Sequence, residues 1–280
     1  MEITQLLNNG AKKLKQKHIS TYCIDSEILL SKVLKTSREF LIIDKYQKIS
    51  NEKINEFQKL IDRRSAREPI AYILQNKEFW SKNFFVNKNT LIPRPETELM
   101  VEKIIKIFTK RNISFLDIGT GTGCILLSIV SELKNSTGIG IDISAKAIEV
   151  AKINARTLKL NNRVKFYIRS FDKFFHKKLD LIVSNPPYIK TKDIKNLDID
   201  VRKFEPNLAL DGGNDGLDVI QKVIYKSRSI LKIKGMLALE IGNGQFKKVS
   251  KILKNNKFKI NYLIRDYKEN IRCILSTFQN

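Results

Sequence analysis

The fold of this chain is decided by the stretch Asp117-Ile118-Gly119-Thr120-Gly121-Thr122-Gly123. The stretch ends a predicted strand, Ser114–Ile118, and opens a predicted helix. Glycines at such a junction let the backbone turn tightly and approach a ligand, and the helix N-terminus behind them favours negative charge. Because ligands of open α/β sheets bind at the carboxyl ends of the strands, the stretch predicts an α/β fold with a ligand site at this loop.

An acidic residue at a fixed distance from the loop indicates a nucleoside. Asp142 ends the next predicted strand, 19 residues after Gly123, where a carboxylate can accept both ribose hydroxyls. A dinucleotide loop would have glycine in place of Cys124, and a Walker loop would contain lysine. A smaller anion, such as the carboxylate of a methionine moiety, suits this turn. We therefore predict that S-adenosylmethionine is bound by Asp142 and by the loop residues Gly119, Thr120, Gly121, Thr122 and Gly123.

From Ser114 onward, strand patterns alternate with helix patterns, which predicts a parallel sheet covered by helices on both faces. The two last strands are separated by a short polar turn and are expected to pair antiparallel. Together they predict a doubly wound, mostly parallel sheet with a terminal antiparallel hairpin. The predicted strands are Ser114–Ile118, Gly138–Ile143, Val164–Ile168, Leu179–Val183, Met236–Ile241, Phe258–Ile264 and Ile271–Thr277.

The first part of the chain has helical spacing and only one glycine, Gly10. It predicts a small helical domain over residues 1–76. Strand-like alternation around a turn at Ser81-Lys82-Asn83 then predicts a β-hairpin linker over residues 77–95, which ends in a loop with two prolines. A helix opened by Glu96 or Thr97 begins the α/β domain, residues 96–280.

A second motif indicates the chemistry. Asn185-Pro186-Pro187-Tyr188 follows the strand Leu179–Val183, and its prolines make a stiff loop over the same pocket. The side-chain oxygen of Asn185 and the carbonyl of Pro186 can each accept one hydrogen of a planar –NH2 group, which aims the nitrogen lone pair outward. Pro187 has no competing N–H, and Tyr188 offers a flat face. The motif predicts methylation of an amino group with Asn185 and Pro186 as catalytic residues, whereas the alternative is a plain turn.

Composition restricts the other classes of function. The chain has 52 basic and 29 acidic residues, and the net charge of +23 favours polyanionic partners. Compositional drift is the favoured explanation of the excess, because the basic residues are spread along the whole chain and binding to a polyanion needs them on one face. Three scattered cysteines and two histidines argue against a disulfide framework and a metal centre. No apolar run approaches the roughly 20 residues of a membrane span, so we expect a cytoplasmic protein.

Over essentially its whole length, the sequence resembles the bacterial release factor glutamine-N5 methyltransferases of the PrmC/HemK type. The glycine loop and the Asn185–Tyr188 tetrad carry part of this resemblance. The other supporting blocks are Arg67-Glu68-Pro69-Ile70-Ala71-Tyr72, Glu78-Phe79-Trp80, Leu91-Ile92-Pro93-Arg94-Pro95-Glu96-Thr97-Glu98, Val201-Arg202-Lys203-Phe204-Glu205-Pro206 and Leu239-Glu240-Ile241-Gly242. The tetrad is shared with adenine-N6 methyltransferases of nucleic acids, whereas the blocks that begin at Leu91 and at Val201 discriminate better and both resemble the protein-glutamine branch.

The resemblance implies a class I S-adenosylmethionine-dependent methyltransferase with a helical substrate-recognition domain, acting without a metal. It implies methylation of the glutamine in the Gly-Gly-Gln loop of peptide chain release factors, with S-adenosylhomocysteine as the other product. Direct nucleic-acid binding is not required, and no membrane is involved. By similarity, Asn185 also touches the cofactor and the whole tetrad, Asn185, Pro186, Pro187 and Tyr188, cradles the glutamine. Phe171 is placed to stack on adenine, whereas a contact from Ser170 or Asp172 is left open.

Two other readings remain at this point. One is a nucleic-acid adenine-N6 methyltransferase, which the positive charge suits although no target-reading module is evident. The other is a catalytically silent RNA- or ribosome-binding protein on a methyltransferase scaffold. Arg94 could either serve the active site or form a salt bridge between domains. Glu205 could shape the substrate channel or cap local backbone, and Glu240 reads as structural.

Overall fold

The structure, a computed structural model, describes residues 1–176 and 178–279. The described chain divides into two compact units, one formed by residues 1–75 with 198–204 and the other by the remainder. The hairpin that we predict as a linker falls in the second unit. The predicted division into three parts stays a prediction.

The first unit is helical, because its apolar residues recur at helical spacing and pack into one core that includes Leu6, Leu29 and Phe57. Ser50 caps the longest of its helices, because its side chain accepts the backbone N–H of Lys53. A short helix from much later in the chain belongs to the same unit. The helices are α1 (Ile3–Gln16), α2 (Tyr22–Leu34), α3 (Arg38–Ile43), α4 (Asn51–Ser65), α5 (Ile70–Leu74) and α9 (Ile199–Phe204).

A buried ion-pair network holds the late segment in this unit. The Arg64 side chain is only 7% exposed and lies 2.7 Å from the carboxylate of Asp25, which is 6% exposed. Its guanidinium also lies 2.6 Å from Asp200 on α9. Removing one partner of a buried pair leaves an uncompensated charge, so Arg64 ties α2, α4 and α9 together.

The second unit contains the sheet. Within the described residues the order of its strands is β5-β4-β3-β6-β7-β9-β8, parallel from β5 to β7 and antiparallel at β9 and β8. This confirms the predicted doubly wound sheet with its terminal hairpin. The strands are β3 (Ser114–Ile118), β4 (Thr137–Asp142), β5 (Val164–Ile168), β6 (Leu179–Ser184), β7 (Leu231–Glu240), β8 (Phe258–Arg265) and β9 (Ile271–Phe278).

Helices bury both faces of the sheet. Phe115 and Leu181 point into a core with α6 and α7, whereas their neighbours Leu116 and Ile182 point into a second core with α10 and α11. This alternation explains why consecutive residues of the central strands are apolar. No helix of the described residues is both long and apolar enough to cross a bilayer. The helices are α6 (Pro95–Phe108), α7 (Cys124–Glu132), α8 (Ala145–Thr157), α10 (Asp218–Ile230) and α11 (Phe246–Asn255).

The hairpin before the sheet differs from its prediction. Strands β1 (Asn76–Phe79) and β2 (Lys82–Phe85) pair with Phe79 opposite Lys82, so the turn is Trp80-Ser81 and the predicted turn at Ser81-Lys82-Asn83 is wrong. Both turn residues have positive φ, 52° and 51°, as a two-residue hairpin turn requires. Tryptophan and serine are unusual there, which is why the sequence does not reveal the turn.

The helix after the hairpin also begins earlier than predicted. It starts at Pro95 instead of Glu96 or Thr97. Proline suits the first helical position because the missing N–H would have no partner there. Thr97 is therefore inside the first turn, buried at 2% exposure.

Asp117 is a buried carboxyl in the central strand β3. Its Oδ2 accepts a 2.7 Å hydrogen bond from the Thr120 hydroxyl, whereas Oδ1 has no hydrogen-bond partner. Burial, together with the nearby charge of Asp142, raises the pKa of Asp117 from 3.8 to about 7. The folded protein therefore binds a proton at Asp117 in a pH range where the unfolded chain has lost it.

We expect Arg64→Ala to destabilise the helical unit by about 3 kcal/mol, because it leaves the Asp25 carboxylate buried without a counter-charge. The free energy of unfolding is to be measured by urea denaturation followed by far-ultraviolet circular dichroism. Arg63→Ala is the matched control. Arg63 is 45% exposed and pairs with Glu68, so its loss should cost less than about 1 kcal/mol. Equal losses in the two variants would contradict the role given to Arg64.

The raised pKa of Asp117 predicts a pH-dependent stability. Its contribution is most favourable below about pH 4, falls as the pH rises towards 7, and is constant above that, a difference of about 4 kcal/mol. Asp117→Asn has no such titration. Urea denaturation of both proteins from pH 4 to 8 should therefore give curves that diverge towards pH 7 in favour of the variant. Parallel curves would show that Asp117 titrates normally.

Candidate functional site

The carboxyl ends of β3, β4 and β6 open onto one cavity of about 290 Å³ within the second unit. Most of the predicted site residues line it: Gly119, Thr120, Gly121, Thr122, Asp142, Phe171, Asn185, Pro186 and Pro187. Gly123 and Tyr188 were predicted with them but are not among its lining residues. Leu91, Pro93, Arg94 and Thr97 contribute a further wall.

The glycine loop follows β3 without a break and is bonded to the neighbouring strand. Gly119 and Thr120 both donate their backbone N–H to the carbonyl of Ile141, at 2.9 and 3.0 Å. Gly119, Gly121 and Gly123 have positive φ, 73°, 54° and 78°, a conformation that strains other residues. Gly123 is also the N-cap of α7. The loop therefore presents its backbone to the cavity in front of a helix N-terminus, as predicted for an anion.

Asp142 stands beside this loop at the end of β4. Its carboxylate accepts N–H bonds from Gly121 at 3.1 Å and from Ser144 at 2.9 Å. Burial raises the pKa of Asp142, and these backbone bonds oppose that shift. Each oxygen of a carboxylate can accept more than one hydrogen bond. The Asp142 carboxylate is thus oriented by the backbone and keeps acceptor capacity towards the cavity that it lines.

Asn185 lies on the opposite side of the loop, at the end of β6. Just before it, the Ser184 hydroxyl donates to the Ile118 carbonyl at 2.8 Å, which joins the ends of β6 and β3. The Asn185 side-chain nitrogen donates to the Thr97 hydroxyl at 3.4 Å. The amide therefore turns its nitrogen towards Thr97, and its oxygen is the group left for the cavity.

Tyr188 takes a different position from the rest of the tetrad. Its hydroxyl accepts a 3.0 Å hydrogen bond from Arg272 and lies 3.5 Å from a carboxylate oxygen of Glu240. Burial and the charge of Glu240 raise the pKa of Tyr188 to about 12, so it stays a neutral phenol. Tyr188 is thereby held behind the cavity wall, and its predicted contact with a substrate stays a prediction.

The backbone of the tetrad packs closely against two glycines, Gly212 and Gly216. A side chain at Gly216 would place its Cβ 2.4 Å from the Tyr188 carbonyl oxygen, and one at Gly212 would place its Cβ 2.7 Å from that of Pro187. Gln245 donates to the same Tyr188 carbonyl at 3.0 Å. Sequence reasoning did not identify these residues, although the three glycines within residues 211–218 were an available signal.

The loop before α6, which contains Pro93, is held in place by one buried acidic side chain. The Glu205 side chain is 1% exposed and lies 2.6 Å from the Arg94 guanidinium, and its other oxygen accepts from the backbone N–H of Ile92 at 3.1 Å. Arg94 and Glu205 both belong to the second unit, so this pair is not a bridge between domains. It keeps Arg94 at the cavity wall.

Asn154 on α8 is another residue that the sequence analysis missed. Its side chain exchanges two hydrogen bonds with the backbone of Phe85, at 2.7 and 3.0 Å, and donates to the Thr122 carbonyl at 2.9 Å. It thereby connects the end of β2 with the glycine loop. A single asparagine within a helical pattern gives no signal of such a role.

The wall beyond β5 contains the predicted aromatic residue. Phe171 begins a short 3-10 turn after β5 and lines the cavity, whereas Ser170 and Asp172 are not among the lining residues. Within residues 1–176 and 178–279, no group of three or more His, Cys, Asp or Glu side chains is arranged to hold a metal ion.

Two family models match the chain. The PrmC N-terminal domain matches residues 5–74, and a methyltransferase domain matches residues 109–277. Among solved structures, a methyltransferase from Pyrococcus furiosus has a TM-score of 0.55 at 16% identity and covers 80% of this chain and 98% of its own. A ribosomal protein L11 methylase from Lactobacillus delbrueckii subsp. bulgaricus has a TM-score of 0.53 at 18% identity, covering 70% and 84%. These structures show the class I methyltransferase fold.

Curated relatives are similar over nearly the whole chain. A release factor glutamine methyltransferase from Buchnera aphidicola subsp. Schizaphis graminum is 41% identical, covering 97% of this chain and 98% of its own. One from Clostridium acetobutylicum is 38% identical, covering 99% and 98%. A bifunctional methyltransferase from Rickettsia prowazekii is 37% identical over 97% of this chain, which spans 56% of that longer protein. The chain therefore belongs to the release factor glutamine methyltransferase family.

Proposed function

We propose that this protein transfers a methyl group from S-adenosylmethionine to the side-chain amide nitrogen of the glutamine in the Gly-Gly-Gln loop of peptide chain release factors, and so supports translation termination. The observation that carries the proposal is that Asn185, Pro186 and Pro187 line the same cavity as the glycine loop and Asp142. The names of the relatives support the choice of glutamine as the acceptor.

The cavity fits S-adenosylmethionine. A Cβ built at Gly119 has no heavy atom within 4 Å, so the loop faces open space where a ligand could approach its backbone. Asp142 has acceptor capacity for ribose hydroxyls, and Phe171 offers an aromatic face for adenine. The residues that would hold the cofactor are Gly119, Thr120, Gly121, Thr122, Gly123, Asp142, Phe171 and Asn185.

The chain's own contribution to the chemistry is orientation. When bound, S-adenosylmethionine supplies an electrophilic methyl group, whose transfer to the amide replaces one N–H by N–CH3 and releases a proton. A carboxamide nitrogen is a poor nucleophile because its lone pair is delocalised into the carbonyl. The Asn185 oxygen and the Pro186 carbonyl accept its two hydrogens and aim the lone pair. Such preorganised acceptors lower the barrier without a strong base.

The proposed substrate is a protein, so direct nucleic-acid binding is not required for it. Release factors act on ribosomes, and the proposal therefore implies a cytoplasmic location. The net charge of +23 has no assigned part in this reaction.

The experiment that tests the function is incubation with methyl-labelled S-adenosylmethionine, a release factor and bulk nucleic acid. We expect label on the glutamine-containing peptide of the release factor and none on a release factor in which that glutamine is replaced by alanine. Label on adenine would instead favour the nucleic-acid rival, with which the Asn185–Tyr188 tetrad is shared. No transfer to any acceptor would leave a silent scaffold as the better description.

Asn185→Ala should lower turnover by about 10²–10³-fold, because it removes one of two positioned acceptors. Its affinity for S-adenosylmethionine should fall much less, since the glycine loop and Asp142 remain. Single-turnover kinetics and isothermal titration calorimetry measure the two quantities separately.

Asp142→Ala is the companion variant. It should weaken the affinity for S-adenosylmethionine, because charged acceptors of ribose hydroxyls are lost, while turnover at saturating cofactor is retained to a greater extent than in Asn185→Ala. If the two variants showed the same division between affinity and turnover, the separate roles given to Asn185 and Asp142 would be incorrect.

A further inference from the structure

A chain of buried polar side chains stands behind Asn185. Thr97 is 2% exposed and Glu240 is 0% exposed. The Thr97 hydroxyl donates to the Glu240 carboxylate at 2.6 Å, and the Asn185 nitrogen donates to the Thr97 oxygen at 3.4 Å. Thr97 lies at the start of α6, Asn185 directly after β6 and Glu240 at the end of β7. The three residues are far apart in the sequence, and the fold brings them together.

The bond between Thr97 and Glu240 sets the direction of the next bond in this chain. A hydroxyl has one hydrogen, and that of Thr97 points to the Glu240 carboxylate. The Thr97 oxygen can then only accept a hydrogen bond from Asn185. The Asn185 side chain must therefore point its –NH2 group, and not its oxygen, towards Thr97. A flipped amide would place the Asn185 oxygen against the Thr97 oxygen with no hydrogen between them. Buried polar groups left unpaired in this way are costly.

A second pair of side chains supports Glu240 from its other side. The Tyr188 hydroxyl lies 3.5 Å from the second carboxylate oxygen, and Arg272 donates to that hydroxyl at 3.0 Å. Burial raises the pKa of Glu240, while the hydrogen bond from Thr97 and the positive charge of Arg272 lower it. The net effect is a raised pKa, and the carboxyl has two hydrogen-bond donors, the hydroxyls of Thr97 and Tyr188.

We propose that Thr97 and Glu240 are positioning residues that hold the Asn185 side-chain amide in the one orientation able to accept a hydrogen from the substrate. The inference rests on the proposed function and deepens it. In the flipped orientation Asn185 would offer N–H donors to the N–H donors of a carboxamide, and the acceptor pair with the Pro186 carbonyl would be lost. Thr97, recognised in the sequence only as a helix start, thereby becomes part of the site.

The test uses two substitutions at Thr97 that differ in the hydroxyl. Thr97→Val keeps the shape and removes the hydroxyl, whereas Thr97→Ser keeps the hydroxyl. We expect Thr97→Val to lower kcat by about 10- to 100-fold, less than the loss of Asn185 itself. The Kd for S-adenosylmethionine should change by less than about 3-fold, because the glycine loop and Asp142 are untouched. Thr97→Ser should stay within about 3-fold of the parent in both quantities, since its hydroxyl restores the same bond.

A readout without turnover keeps this inference separate from the proposed function. In protein labelled with ¹⁵N-asparagine, the side-chain NH2 signal of Asn185 is assigned by its disappearance in Asn185→Ala. We expect that signal to shift, and its hydrogen exchange to accelerate, in Thr97→Val but not in Thr97→Ser. If the parent protein does not methylate glutamine, the proposed function fails, while this signal still decides whether Thr97 orients the amide.

Glu240 is tested through its coupling to Thr97. If the two act as one chain, the combined Thr97→Val and Glu240→Gln substitutions should lower kcat no more than the larger single effect. Additive losses, or a normal kcat and an unchanged Asn185 signal in Thr97→Val, would overturn the proposal. A lowered Tm together with full kcat well below the Tm would likewise assign Thr97 to stability alone and overturn it.

Discussion

The site depends on the position of β3 between β4 and β6. In this sheet β4 and β5 lie on one side of β3, whereas β6 and β7 lie on the other, so the chain reverses direction across the sheet at β3. All these strands are parallel, and their carboxyl ends therefore meet at one edge. The glycine loop, Asp142 and Asn185 are far apart in the chain, and this reversal is what places them around one cavity.

Once the strand ends meet, the buried polar groups there constrain one another. Asp142 accepts a hydrogen bond from the backbone of Gly121, and the Ser184 hydroxyl donates to the carbonyl at the end of β3. Glu205 accepts the backbone N–H of Ile92 in the loop before α6. The first and third of these bonds join segments that the ladder of the sheet does not pair, and the second reinforces the pairing of β3 with β6. Since a broken bond would leave a buried polar group unpaired, the cavity walls have one preferred arrangement. Preorganisation of this kind is what a reaction without a strong base requires.

The parts of the structure that the sequence predicts are those with local signals. The strands from β3 to β9 are predicted by runs of apolar residues bounded by turns. The nucleoside site is predicted by the spacing between the glycine loop and Asp142. The turn at Trp80-Ser81 was not predictable, because its positive φ values are imposed by strand pairing on residues that rarely adopt them. Asn154, Thr97 and Glu240 were not predictable as site residues for a related reason. Their roles depend on partners between 32 and 143 residues away, and neither helical nor strand periodicity encodes such pairs.

The placement of Glu240 bears on how the proposed reaction could work without a general base. Glu240 is the buried acid behind Asn185, yet it is not among the residues that line the cavity. One of its oxygens already accepts a hydrogen from Thr97, and the other lies 3.5 Å from the Tyr188 hydroxyl. A base must come within hydrogen-bond reach of the proton that it removes, and Thr97 and Asn185 stand between Glu240 and the cavity. A carboxylate in that position can orient an amide but cannot reach a substrate proton. The proton would therefore leave the methylated amide through the open side of the cavity. An amide protonated at nitrogen is strongly acidic, and loss of the proton returns the nitrogen lone pair to conjugation with the carbonyl.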